Sequence, residues 1–368
     1  MSRWSMVLSS LVLAACGGSQ PSGTEPPAIP AAESGSLRTL ASSGDGLSCA
    51  ILDGAVRCWG RGFGARAVLV HGTEGAEDLA LAGEGGCAAL ASGACACWDD
   101  PEDPHAEWLL EAEADGEASA LAAQARAGEA PASPVVAEPV AGVDDAERVR
   151  LDDGAFCLLR RGGRVSCAEA RGGFEPVAEL AGVLDLDVLT RVGPGVCYVD
   201  AEGATWCWGL GRDGDSGGPA GWTPGSRRRL ELPLATEVIV LDAMLEVVCV
   251  VSREHRLACQ GDLPEPIRAL TERTDVTGLL RPAIPALCVR TARAGAVCAD
   301  RSAVTHPPGA AFEEIVVGRS GTAELGYGCG RRGADVLCWG DNSREGLGVG
   351  EVGEAGSSPT PRPVVMAP

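Results

Sequence analysis

Cys49-Ala50-Ile51-Leu52-Asp53-Gly54-Ala55-Val56-Arg57-Cys58-Trp59-Gly60 reads as a β-hairpin with its turn at Asp53-Gly54. Asp-Gly between two arms of this kind suits a two-residue type I′ turn, because both central residues of that turn need a positive φ. Pairing about the turn sets Cys49 opposite Cys58. Residues opposed at a non-hydrogen-bonded site lie close to the Cα separation that a disulfide tolerates.

The hairpin recurs along the chain of 368 residues. Of its 16 cysteines, Cys16 stands apart, and fourteen of the rest fall into seven pairs. These are Cys49/Cys58, Cys87/Cys97, Cys157/Cys167, Cys197/Cys207, Cys249/Cys259, Cys288/Cys298 and Cys329/Cys338, separated by 9 in the first and last and by 10 in the five between. The longer version, as in Cys197-Tyr198-Val199-Asp200-Ala201-Glu202-Gly203-Ala204-Thr205-Trp206-Cys207, adds one loop residue. It puts Gly203 where a three-residue turn with a G1 bulge needs a left-handed residue. Cys95 is left over. It shares a strand face with Cys97, so Cys87 has two possible partners, and the spacing of the other hairpins favours Cys97. Evenly recurring strand pairs with turn signals indicate an all-β repeat fold. Metal binding is a poor account of the cysteines: no C-x-x-C spacing occurs, and His71, His105, His255 and His306 are not in register with the repeat.

Disulfides call for an oxidising compartment, and the first residues supply one. Met1-Ser2-Arg3 is followed by the apolar Met6-Val7-Leu8-Ser9-Ser10-Leu11-Val12-Leu13 and then by Ala14-Ala15-Cys16, the layout of a cleavable secretion signal over residues 1–15. Leu13-Ala14-Ala15-Cys16 resembles the bacterial lipobox, which implies a diacylglyceryl thioether on Cys16 and an acylated N-terminus after cleavage. Acyl chains anchor through about 0.8 kcal/mol per buried methylene. No other segment has the apolar length of a transmembrane helix. Residues 16–36 are rich in Gly, Pro and Ser and read as a flexible tether. Gly17 in place of an inner-membrane-retaining Asp favours the outer membrane as the location.

Four hairpins continue into Trp: Cys58-Trp59-Gly60, Cys97-Trp98, Cys207-Trp208-Gly209 and Cys338-Trp339-Gly340. The last runs on through Asp341-Asn342-Ser343-Arg344-Glu345-Gly346-Leu347-Gly348-Val349-Gly350. This pattern resembles the bacterial, cysteine-rich branch of the regulator of chromosome condensation repeat family. The units at Cys157, Cys249 and Cys288 lack the Trp-Gly tail, and the histidine common before the family's first cysteine is missing throughout. The resemblance implies an all-β, seven-bladed β-propeller over residues 37–366, with cross-strand disulfides. Ser358-Pro359-Thr360-Pro361-Arg362-Pro363-Val364-Val365 resembles an outer strand, and joining it with Leu37-Arg38-Thr39-Leu40 in one blade would close the ring without free edges. The recurrent Trp59, Trp98, Trp208 and Trp339 are read as packing between blades.

An Ala/Glu/Asp-rich stretch from Glu102 to about Pro139 lengthens the second unit and reads as a protruding acidic insertion, with helical periodicity over Ala106–Glu113. It is a solvated loop or, more specifically, a partner-binding arm. Without Arg3 the chain from Cys16 carries 29 basic against 51 acidic residues, 29 − 51 = −22. That balance excludes nucleic acid, which needs a basic stripe to displace counterions. Gly214-Asp215-Ser216-Gly217-Gly218-Pro219 matches the nucleophile motif of chymotrypsin-like proteases, yet no histidine base accompanies it, and His71 lacks the motif around it. Its alignment on the Gly-rich tail of the repeat makes it a decayed repeat loop. Asp213-Gly214-Asp215 lacks the spaced ligands of an EF-hand.

The expected function is a non-catalytic, envelope-anchored lipoprotein whose propeller binds an envelope or extracellular protein. No cofactor or metal is expected. The alternatives are a carbohydrate-active enzyme, which requires paired carboxylates facing each other across a pocket, and a glycan or small ligand held at the central channel. Nucleotide exchange, the eukaryotic family activity, acts on a cytosolic substrate and does not fit an exported chain.

Overall fold

Each cysteine hairpin forms the middle of a small antiparallel sheet, and seven such sheets follow one another along the chain. The computed structural model describes residues 37–43, 46–83, 85–98, 134–152, 155–169, 175–176, 180–189, 195–209, 227–241, 247–261, 263–280, 286–292, 295–299, 304–305, 312–320, 323–343, 346–351 and 356–367. The signal, the tether, Cys16, the helical stretch Ala106–Glu113 and the motif Gly214–Pro219 lie outside the described residues.

Blade 1 is β1 (Leu40–Ser42), β2 (Leu47–Leu52), β3 (Ala55–Gly60) and β4 (Gly64–His71). Blade 2 opens with β5 (Ala76–Ala82), β6 (Gly85–Leu90) and β7 (Cys95–Trp98). After β8 (Val135–Val136), which runs parallel to β4, blade 2 is completed by β9 (Glu138–Pro139). Blade 3 is β10 (Ala146–Asp152), β11 (Ala155–Arg160), β12 (Arg164–Glu169) and β13 (Glu175–Pro176). Blade 4 is β14 (Val183–Leu189), β15 (Gly195–Asp200), β16 (Thr205–Gly209) and β17 (Arg227–Arg229). Blade 5 has β18 (Ala235–Leu241), β19 (Val247–Ser252) and β20 (Leu257–Gln260), followed by helix α1 (Glu265–Thr271). Blade 6 is β21 (Val276–Leu280), β22 (Leu287–Thr291), β23 (Gly295–Ala299) and β24 (Val304–Thr305). Blade 7 is β25 (Glu314–Ser320), β26 (Ala323–Arg332), β27 (Asp335–Gly340) and β28 (Ser358–Pro363).

The first strand of every blade touches the first strand of the next, and β25 of blade 7 touches β1 of blade 1, so the ring closes around the seven inner strands. The fold is a seven-bladed propeller, as the repeat implied.

All seven expected cysteine pairs sit opposite one another at bonding distance, with S–S from 1.99 to 2.14 Å and Cα–Cα of 4.0 or 4.1 Å. Cys49 bonds Cys58, Cys197 bonds Cys207 and Cys329 bonds Cys338. Cys87 pairs with Cys97, which leaves Cys95 as a buried free thiol. The three units without the Trp-Gly tail keep their bonds as well: Cys157 to Cys167, Cys249 to Cys259 and Cys288 to Cys298. The second cysteines of these three differ in cover. Cys298 is buried between blades 6 and 7, Cys167 is buried between blades 3 and 4, and Cys259 is only half-buried against the core of blades 5 and 6. The expected staple at Cys259 therefore keeps its geometry but reaches the surface, because no outer strand pairs with β20 among the described residues.

The turns follow the sequence reading. Asp53 and Gly54 both have positive φ, 53° and 75°, and Gly203 takes a φ of 90° in its three-residue loop. Closing a loop of this size stabilises the chain by about 2–3 kcal/mol on the loop-entropy scale.

Seven apolar cores lie between the blades, one per interface. In each, the cysteine face of one sheet packs on the opposite face of the next. Cys329 and Cys338 of blade 7, for example, share a core with Leu40, Ala50 and Trp59 of blade 1. Strand alternation therefore sends each Cys toward the following blade and the Trp beside it toward the preceding one. Trp98 packs on blade 1, Trp208 on blade 3 and Trp339 on blade 6. Trp59 is fully buried and donates from Nε1 to the Gly346 carbonyl of blade 7 at 3.0 Å. The glycines of the motif follow from this packing. A Cβ on Gly348 would stand 2.6 Å from Trp59 Cδ1, and one on Gly60 would stand 1.9 Å from the Gly46 carbonyl.

Two expectations change, and blade 5 adds a feature of its own. The acidic insertion does not extend to Pro139, because Val135–Val136 and Glu138–Pro139 are edge strands of blades 1 and 2. These pieces end at or beside Pro134 and Pro139, and proline tolerates an edge position because its missing N–H faces away from the ladder. The chain ends also do not share one sheet. Ser358–Pro363 pairs with β27 in blade 7, and only the residues beyond it reach blade 1, where Ala67 donates to Val365 O at 2.9 Å and accepts from Ala367 N at 2.9 Å. In blade 5, α1 stands where the other blades have an outer strand, burying Ile267 and Leu270 on the cysteine face.

Candidate functional site at the channel mouth

Inner strands β5, β10, β14, β18 and β21 each begin with a β-bulge. The residue just after the bulge faces the neighbouring inner strand. In β5, β14 and β18 it is an acid, and Glu314 holds the corresponding place at the start of β25. Asp78 accepts from Val149 N at 2.8 Å, Asp185 from Val238 N at 3.1 Å, Glu237 from Leu279 N at 2.7 Å and Glu314 from Thr39 N at 3.0 Å. Each carboxylate therefore caps a backbone donor of the following blade.

Arg150, fully buried, fills the channel beside blades 2 to 4. Its guanidinium meets Asp78 at 2.9 Å and Asp185 at 3.5 Å, and its Nε donates to Leu186 O at 3.1 Å. Arg148 pairs with Asp185 at 3.1 Å, and Arg38 with Asp187 at 2.9 Å. Three arginines thus neutralise three aspartates, which makes burial of the charges tolerable.

On the opposite side of the channel, where blades 6, 7 and 1 meet, the filling is incomplete. A cavity of about 190 Å³ opens between Leu37, Leu40, Leu279, Leu280 and Ile315 on its apolar side and Arg38, Arg290, Glu313, Glu314 and Arg331 on its polar side. Burial pushes the Glu314 carboxyl up to about 7, against the opposing effect of hydrogen bonds from Thr39 and the charge of Arg331. Burial likewise lowers Arg331. Arg331 sends its NH2 to Thr39 O at 2.9 Å and Ile51 O at 2.6 Å, and Arg290 sends its NH2 to Glu313 O at 2.6 Å. The Nε atoms of both are buried without a hydrogen-bond partner.

The two pocket carboxylates are consecutive on one strand. Glu314 is engaged by Thr39, and Glu313 accepts from Gly333 N at 3.3 Å. They do not form the pair facing across a cleft that glycoside hydrolysis requires. Among the described residues, no group of three or more His, Cys, Asp and Glu is placed to hold a metal ion. Cys95 faces the core between blades 2 and 3, where burial pushes its thiol up to about 12, well away from the reactive thiolate range.

The paired cysteines and recurrent tryptophans singled out in the sequence pack between blades. The fourteen paired cysteines, Cys167, Cys259 and Cys298 among them, and Trp59, Trp98, Trp208 and Trp339 lie between blades, and none lines the cavity. Of the cavity residues, Leu37 to Leu40 were read in the sequence only for ring closure, Leu279, Leu280, Glu314 and Ile315 sit on weakly patterned inner strands, and Arg290 and Arg331 sit on second strands whose pattern is dominated by their cysteines. An acid two residues past a strand's first apolar position, as in Ala76-Glu77-Asp78, Ala235-Thr236-Glu237 and Phe312-Glu313-Glu314, was the available signal.

Among solved structures, the chain is similar to Prp20p from Saccharomyces cerevisiae, with a TM-score of 0.57 and 11% identity over 86% of this chain and 87% of that one. The fold is that of the yeast RCC1 propeller. The same yeast RCC1 bound to Kap60 gives a TM-score of 0.56 at 11% identity, covering 91% of this chain and 90% of that one. Human WBSCR16 gives 0.53 at 12% identity, covering 82% and 85%. No protein-family model matches the chain, and no curated protein does. The structure of Prp20p was described together with its binding properties to Gsp1p and histones.

Proposed function

We propose that this chain is an envelope-anchored member of the bacterial, cysteine-rich branch of the regulator of chromosome condensation repeat family. Its propeller is a non-catalytic scaffold that binds an envelope or extracellular protein through loops on one face. The observation that carries this reading is the construction of the ring. A disulfide within every blade faces the next blade's core, so the structure holds its loops on a rigid frame, and rigidity lowers the ordering cost of association. The binding of Gsp1p, histones and Kap60 by the yeast propeller supports a protein as the partner.

The Cys16 lipobox supports anchorage, the tether 16–36 would hold the propeller off the membrane surface, and Gly17 favours the outer membrane. Among the described residues, no helix is long and apolar enough to cross a membrane. With a net charge of −21, the chain fits a partner with a basic face.

The test is co-purification from detergent-solubilised envelopes, comparing the intact protein with one whose blade-connecting loops on one face are scrambled. The intact protein enriches a defined envelope protein and the scrambled one does not. Equal recovery by both contradicts the reading. Anchorage is checked separately: Cys16→Ser abolishes incorporation of a labelled fatty acid and releases the protein from membranes.

A further inference from the structure

The capping carboxylate is absent from blade 3, where Arg148 follows the bulge, and from blade 6, where a glycine does. Gly278 follows the bulge of β21 as Glu237 follows that of β18, so it occupies the same place in the ring. It offers no carboxylate to Ile315 of blade 7, the residue that corresponds to Leu279 and Val238, and Ile315 lies in the cavity wall.

Two arginines at equivalent positions show what is missing. Arg331 lies across from Glu314 in blade 7, and Arg290 lies across from Gly278 in blade 6. Each reaches forward to a carbonyl of the next blade. Arg331 has the Glu314 carboxylate 4.0 Å from its Nε, whereas Arg290 faces a glycine, and the Nε of each is buried without a hydrogen-bond acceptor. A buried donor on a charged group that is left without an acceptor loses its hydration with nothing in return, which favours any ligand that supplies an acceptor. A Cβ on Gly278 would stand 3.6 Å from Glu237 Oε1, 3.7 Å from Glu237 Oε2 and 3.9 Å from Arg290 Cζ, all ordinary contacts, so the place beside Gly278 is open and lies between the Glu237 carboxylate and the Arg290 guanidinium.

We propose that a small aliphatic carboxylate binds in this cavity, supplying from outside the group that Asp78, Asp185, Glu237 and Glu314 supply from within. Its oxygens accept from Arg290 and Arg331, and its alkyl part lies against Leu279, Leu280 and Ile315. A cavity of about 150 Å³ holds benzene, so 190 Å³ accommodates an acid of about four to six carbons. The carboxylate belongs to a free short acid or to the C-terminus of a peptide with a small apolar last residue; both present the same group.

Calorimetric titration of the full-length protein at pH 7 distinguishes these sources. The probes are isovalerate and acetyl-Gly-Val with a free C-terminus, each compared with its amide. At least one carboxylate binds, and its amide binds at least tenfold more weakly. Binding by isovalerate alone marks a free acid, and binding by the peptide alone marks a C-terminus. Gly278→Glu fills the place with its own side chain and weakens binding at least tenfold, while Gly278→Ala retains it. Arg290→Gln, which leaves the backbone of β21 untouched, also weakens binding at least tenfold. Absence of binding by both carboxylates, equal binding of the amides, or wild-type binding by Arg290→Gln overturns the proposal.

Discussion

Replacing Arg150 with Met tests the physical account of the channel. Arg150 and Asp78 have fully buried side chains, and Asp185 is 1% exposed. The methionine keeps much of the volume but removes one positive charge from a set in which Arg38, Arg148 and Arg150 balance Asp78, Asp185 and Asp187. It also strips Leu186 O of its donor. One uncompensated buried carboxylate then remains, and removing one partner of a buried pair costs about 3–5 kcal/mol. At about 2 °C per kcal/mol for a domain of this size, the melting temperature falls by about 6–10 °C. The assay is calorimetric unfolding at pH 7 under non-reducing conditions. A loss below about 1 kcal/mol for Arg150→Met would refute the reasoning.

Three further outcomes follow from the geometry. Because the folded pKa of Glu314, about 7, lies above its unfolded value of 4.5, the native state binds more protons between these limits, and stability falls as pH rises from 4.5 to 7. At about 1.36 kcal/mol per unit the loss approaches about 3 kcal/mol. Glu314→Gln flattens this dependence in unfolding curves taken across that range, and an unchanged slope contradicts it. Trp59→Phe removes the bond to Gly346 O and costs about 1 kcal/mol, whereas Gly348→Ala, which drives a methyl into Trp59, costs more; urea midpoints that rank them the other way contradict the packing. His255 holds a φ of 58° at the loop position that Gly203 occupies in blade 4. His255→Gly relieves that conformation and stabilises by about 0.5 kcal/mol after the entropy cost of glycine, and a lower urea midpoint would contradict this.

The sequence carried the hairpins well because their signals are local. Cysteine spacing set the register, even at Cys167, Cys259 and Cys298 where no Trp follows, Asp53-Gly54 and Gly203 set the turns, and the recurrent Trp marked the packing between blades without saying which face meets which blade. What escaped depends on contacts between blades. Nothing near Arg150 marks it as buried, since its partners Asp78 and Asp185 lie 72 and 35 residues away along the chain. Gly278 gains meaning only when Glu314 and Arg331 are seen in the next blade. The helix Glu265–Thr271 has a faint signal in Pro264 and Pro266 at its start and Ile267 and Leu270 three apart, but seven residues are too few for a helical period to stand out. The ring closure was foreseen in kind and mistaken in detail: the Pro-rich end pairs within its own blade, and the residues after it reach the next.

Peptide mapping of the native, non-reduced protein tests the central claim most directly. After alkylation of free thiols in denaturant, the account predicts seven disulfides, each joining the two cysteines of one hairpin, with label on Cys95. The same label applied before denaturation leaves Cys95 unmodified, because the thiol is buried and held far above the reactive range. A disulfide joining two different hairpins, or one that contains Cys95, would contradict the blade register and the ring built on it.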